Sequence, residues 1–116
     1  MNFVCANFFE LPSHLPAEEY FEQIASGRNL RIERIISTGH TTPPGEWYDQ
    51  SWDEWVIVLQ GEAKLTYADG SQYDLKPGDY LLIPAHQKHR VDYTSSMPPC
   101  IWLAVHADLS GYIPGL

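Results

Sequence analysis

The sequence predicts an all-β domain, an antiparallel sandwich or barrel preceded by one short helix, and three observations carry that prediction. Short runs rich in β-branched and aromatic residues recur at close, regular spacing between Leu30 and Ala107. Turn dipeptides, among them Asp69-Gly70 and Pro77-Gly78, separate those runs. Only residues 15–25 carry the spacing and the terminal residues of a helix.

In that helix Ser13 serves as the cap, Pro16 suits the first turn, and Glu18 and Glu19 favour the positive end of the dipole. Leu15, Tyr20, Phe21 and Ile24 form its apolar stripe, and Gly27 offers the left-handed stop. Leu30–Ser37 follows as a strand with Ile32, Ile35 and Ile36 as β-branched bulk. Residues 39–45 hold two prolines and two glycines and form a loop. Residues 47–60 read as one long strand with room for a bend near Ser51. Strands at 63–67 and 71–75 flank Asp69-Gly70, the preferred dipeptide of a tight hairpin. Strands at 80–83, 89–94 and 101–107 complete the set, the last two separated by the polar, proline-bearing loop 95–99. Residues 1–29 are thus an N-terminal segment with a helix, and residues 30–116 the barrel of a single domain.

The strand at 47–60 is apolar on both faces. Val56 and Val58 share a face with Glu54, while Trp55, Ile57 and Leu59 occupy the other. Such a strand must be covered on both sides, so the outer face needs a second sheet or a second subunit, and a homodimer is expected.

A net charge of −8 sets the chain against nucleic acid and anionic membrane surfaces, whose binding rests on Lys and Arg. A metal ion or a cationic or neutral small molecule is the expected partner. Cys5 and Cys100 show no Cys-x-x-Cys spacing and read as reduced thiols. Residues 1–7 lack the basic and apolar regions of a leader, and no apolar run approaches the roughly 20 residues that span a bilayer. A cytoplasmic location is expected.

Chemistry concentrates in two stretches. Glu54 heads an apolar run that ends at Gly61, and a carboxylate facing inward there needs a partner. Pro77-Gly78 opens a second stretch that passes through Pro84 and His86 to His89. If both strands share one barrel, carboxylate and imidazole meet inside it, a pairing suited to a metal. A solvated acidic turn shared with Asp53 is the alternative for Glu54, and an exposed strand start the alternative for His89.

These stretches resemble the two signature motifs of the cupin superfamily, G-x5-H-x-H-x3,4-E-x6-G and G-x5-P-x-G-x2-H-x3-N. Glu54 and Gly61 match the end of the first; Gly78, Pro84 and His89 match the second. The resemblance implies a cupin-type jelly-roll barrel and a divalent metal (Mn, Fe, Zn or Ni). The departures are Tyr48 and Gln50 at the two histidines of the first motif, His86 at the glycine of the second, and Tyr93 at its asparagine.

Alternation puts Tyr48, Gln50 and Glu54 on one face, so Gln50, Glu54 and His89 form the candidate metal set. A bulge near Ser51 would bring Asp49 in instead, and Asp49 is the second choice. Tyr48 and His106 are candidate acid/base groups, Tyr48 more readily as a hydrogen-bonding phenol than as a phenolate ligand. A satisfied core histidine is the alternative for His106. Tyr48, Trp52, Tyr93 and Trp102 are candidate walls of a small-molecule pocket, unless they simply fill the barrel. His86 reads as a turn residue, and His14 and His40 as exposed loop residues.

Overall fold

The computed structural model describes residues 5–109. The first four residues of the stretch read as lacking a leader, and the last seven of the span assigned to the barrel, lie outside the described residues.

Eight strands run in order: β1 (Tyr20–Gly27), β2 (Leu30–Ser37), β3 (Asp53–Gln60), β4 (Ala63–Tyr67), β5 (Gln72–Leu75), β6 (Tyr80–Ile83), β7 (His89–Thr94) and β8 (Cys100–Ala107). They form a five-stranded sheet, β1-β2-β8-β3-β6, and a three-stranded sheet, β5-β4-β7. All pairings are antiparallel. Among the described residues no ladder joins the sheets into a closed barrel. Val56, Val58, Trp102 and Ala104 of the larger sheet form one core with Leu65, Tyr67 and Leu75 of the smaller.

The helix expected at 15–25 is absent among the described residues. Its second half is instead the edge strand β1, in register with β2 from Tyr20 opposite Ile36 to Gly27 opposite Leu30. Asn29 supplies the left-handed residue of the connecting turn, with φ 60°. Pairing with β2 overrides the helical spacing, since Phe21 and Ile24 are half exposed and no apolar stripe of a helix is buried.

The strand expected at 47–60 is also shorter. The chain changes sheets at Ser51 and Trp52: Tyr48 bridges to His89 of the smaller sheet, and from Asp53 onward β3 pairs with β8 and β6 of the larger. That crossing carries one continuous face, Tyr48, Gln50, Glu54, from one sheet to the other.

The outer face of β2 is covered by the chain's own N-terminal segment. Buried Arg34 donates from Nη1 to the carbonyls of Phe8 (3.0 Å) and Glu10 (2.9 Å), and from Nη2 to Glu22 Oε2 at 2.7 Å. On the outer face of β3, Trp55 packs its ring against Tyr80 with centroids 5.6 Å apart.

Candidate functional site

Between the sheets lies a cavity of about 250 Å³, and its polar lining comes from both. Glu54 sits at the head of β3, with His106 opposite it on β8. His89 opens β7, and Tyr48 and Gln50 reach in from the crossing segment. Backbone bonds fix that segment: Tyr48 donates to the His89 carbonyl (2.8 Å) and accepts from the His89 N–H (3.1 Å). The His86 N–H donates to the Gln50 carbonyl at 2.7 Å. Alternation then turns Tyr48 and Gln50 inward and Asp49 outward, where it accepts from His86 Nδ1 at 2.9 Å.

Glu54 is 6% exposed, and the nearest imidazole atom to its carboxylate is His89 Nε2 at 3.9 Å. Burial pushes its carboxyl up to about 7; an amide donor from Gln50 offsets part of this, and the nearby Glu33 charge adds to it. Gln50 spends its N–H on Glu54 and leaves Oε1 buried without a partner. His89 donates from Nδ1 to the Gln87 carbonyl (2.8 Å), which leaves Nε2 as a lone pair toward Glu54. Burial lowers the His89 imidazole below its usual range, so it is neutral at pH 7. Tyr48 stacks on the His89 ring at 5.6 Å, and burial and the Glu19 charge raise its phenol further from ionisation.

A second polar group lines the same cavity. His106 donates from Nε2 to Glu33 Oε1 (2.9 Å), and Arg31 Nε lies 3.6 Å from Glu33 Oε2. Burial lowers His106 as well, against the opposing pull of Glu33. Glu19 also lines the cavity; it is bonded to Ser37 and raised by burial. Arg31, Glu33 and Glu19 escape the sequence reading. The signal for two of them was alternation along β2, which puts Arg31 and Glu33 on the face of Ile35.

Trp102 lines the cavity, its indole N–H donating to Ser37 Oγ at 3.2 Å. Two expected pocket walls do not: Trp52 lies in the bend at 51–52, and Tyr93 is 50% exposed. A register shift opposite Lys64 and Leu65 explains Tyr93, because it leaves Asp92 unpaired and sets Tyr93 opposite Lys64 on the outer face. His86 is exposed in a left-handed turn (φ 63°), and His14 is exposed. His40 is not a free loop residue: it accepts from the Thr38 N–H at 3.0 Å and donates to the Ala17 carbonyl at 2.6 Å.

Residues 35–106, which include the strands that carry Glu54, His89 and His106, match the cupin domain family. The chain belongs to that family. This cupin is similar to the solved structure of a putative mannose-6-phosphate isomerase from Ralstonia eutropha JMP134, with 43% identity and a TM-score of 0.83 over 90% of this chain and 98% of that one. A cupin superfamily protein from Desulfitobacterium hafniense DCB-2 shares the fold at 21% identity, with a TM-score of 0.69 over 84% of each chain. The cupin is also 39% identical over 69 residues to an L-ectoine synthase of Nocardia farcinica, which covers 53% of this chain and 52% of that protein. It thus spans about half the length of that curated relative.

Proposed function

We propose that this cupin binds one divalent cation through Gln50, Glu54 and His89 and acts on a small polar metabolite by isomerase, lyase or oxygenase chemistry. The observation that carries this is the inward set of three donors: an orphaned amide oxygen, a buried carboxylate and an imidazole lone pair whose other nitrogen is held by a carbonyl. An amide and a carboxylate are hard donors and favour Mn²⁺ or Fe²⁺ over the softer choices, Zn²⁺ or Ni²⁺. When bound, the ion would supply Lewis-acid or redox chemistry at a substrate oxygen.

The chain's own residues supply the rest. Tyr48, kept as a neutral phenol, donates a hydrogen bond to the substrate. His106, neutral and tied to Glu33, moves protons as the general acid/base. The enzyme names of the relatives are in keeping with catalysis by a domain of this kind, and the two free thiols with a reducing cytoplasm.

Elemental analysis of protein purified without chelator tests the metal reading. About one equivalent of metal is expected in the wild type, and far less in Glu54→Ala and His89→Ala. Metal content that does not change in those variants refutes it.

A second reading is a metal-free, non-catalytic ligand-binding cupin. It is favoured by one fact: the described residues contain no group of three or more His, Cys, Asp or Glu side chains able to hold a metal ion. A thermal-shift response to small metabolites in metal-free protein, with no turnover of any of them, is its signature.

A further inference from the structure

If the cavity receives a small molecule, as proposed above, its lining also fixes the sign of that molecule's charge. The wall carries three acidic side chains, Glu19, Glu33 and Glu54, against a single guanidinium, Arg31, whose Nε faces Glu33 at 3.6 Å. Both imidazoles in the wall already spend a ring nitrogen on the protein, His89 Nδ1 on the Gln87 carbonyl and His106 Nε2 on Glu33 Oε1. The hydrogen-bonding roles are just as one-sided. Gln50 Oε1 is a buried acceptor with no donor, and His89 Nε2 is a second acceptor once Nδ1 has given its proton to Gln87. Glu54, with 8% of its side chain exposed, has no Lys or Arg within ion-pair distance among the described residues; its close neighbours are the Gln50 amide and His89 Nε2, the latter at 3.9 Å.

A pocket rich in acceptors and short of donors is matched by a guest that brings N–H groups and positive charge. The rest of the lining suits the remainder of such a guest: Phe21, Tyr48 and Trp102 present ring surface to an alkyl chain or to the face of a cation. We infer that the organic ligand of this cavity carries a cationic amine, seated among Glu19, Glu33 and Glu54 with its carbon chain against Trp102 and Phe21. A ligand that is only an anion would meet three carboxylates and find one committed arginine.

The test uses three probes of one length, butylamine, butyrate and 1-butanol, titrated calorimetrically into the protein with EDTA present. Butylamine should bind at least about tenfold more tightly than either of the others, the worth of one charge-assisted hydrogen bond. Glu33→Gln and Glu19→Gln should each weaken butylamine about tenfold, and Arg31→Gln, which removes the competing cation at the exposed rim, should tighten it severalfold. That opposite sign guards against variants that bind less because they fold less. Butyrate or butanol binding as well as the amine, no heat from the amine, or an Arg31→Gln variant that binds it more weakly, overturns the inference.

Mn²⁺ titration of the same proteins separates this from the metal reading, because Glu19, Glu33 and Arg31 are outside the proposed ligand set. Amine binding without Mn²⁺ binding leaves the inference standing and sinks the metal; Mn²⁺ binding without amine discrimination does the reverse.

Discussion

Replacing Glu54 by glutamine should make this protein more stable at pH 8 and leave it nearly unchanged in acid. An ordinary glutamate titrates near 4.5, and Glu54 near 7, because desolvation of its carboxylate outweighs the Gln50 hydrogen bond and the opposed charges of Glu33 and Arg31. The folded state therefore holds the Glu54 proton more tightly than the unfolded chain does. Stability from this source is complete below pH 4.5 and is lost as pH rises through 7. At about 1.4 kcal/mol per tenfold change in proton affinity, the charged form costs the fold about 3 kcal/mol at pH 8 and under about 1 kcal/mol at pH 5. Glutamine keeps the shape and removes the titration. Urea unfolding of chelated protein should show the variant's midpoint rising by about 1–2 M relative to wild type at pH 8, for a slope of about 2 kcal/mol per molar. The gap should close by pH 5, and comparing the two proteins at each pH cancels every other titrating group. A gap of equal size at both pH values, or a variant less stable at pH 8, would show that Glu54 already has its counter-charge and would refute the reasoning.

Three further outcomes can be checked alongside. Adding Mn²⁺ back to chelated protein should raise its thermal midpoint, and His89→Ala should weaken the ion at least about tenfold by calorimetry; equal affinities would remove His89 from the ligand set. Gly61→Ala should cost about 2–4 kcal/mol in urea unfolding, because a Cβ there would meet Ser95 Oγ at 2.4 Å and the Cys100 backbone at 2.9 Å. Gly70→Ala, at φ +92° but in open space, should cost only about 1 kcal/mol, and similar losses at the two sites would discount the clash. His86→Gly should leave stability between unchanged and about 1 kcal/mol higher, since relief of the left-handed φ of 63° offsets an exposed hydrogen bond to Asp49; a loss above about 1 kcal/mol would make that contact structural.

The β-strands from residue 30 onward were legible because period-two patterning and glycine turns are local signals: β2, β4, β6 and β7 lie where propensity and turns place them. The N-terminal strand was not. Residues 15–25 carry real helix signals in Ser13, Pro16, Glu18 and Glu19, and what defeats them is a partner, β2, whose ladder offers the backbone of 20–27 more than an isolated short helix can. The register shift at Asp92 was equally hidden. One extra residue reverses the facing of Tyr93, and nothing in the composition around it marks that residue as unpaired.

For the site, motif spacing located the ends of the two strands but was silent about what stands between them and the rest of the wall. Glu54 and His89 were visible because a carboxylate heads an apolar strand and an imidazole opens a later one, at the spacing of the two motifs. Glu33 and Arg31 were not, because they alternate with Ile32 and Arg34 on a strand that follows an exposed turn and read as an ordinary charged pair. Only the order β2-β8-β3 brings them beside His106 and within electrostatic reach of Glu54. The replacement of two motif histidines by Tyr48 and Gln50 acquires its meaning the same way. In sequence it is a loss of ligands; in the fold it exchanges two imidazoles for a phenol stacked on His89 and for one amide, which steadies Glu54 through its N–H and leaves its oxygen without a partner. A cavity altered in that direction keeps its demand for positive charge while offering it fewer soft donors. For that reason the variants of Glu54, Glu33 and Arg31 probe this cupin more sharply than any count of motif residues.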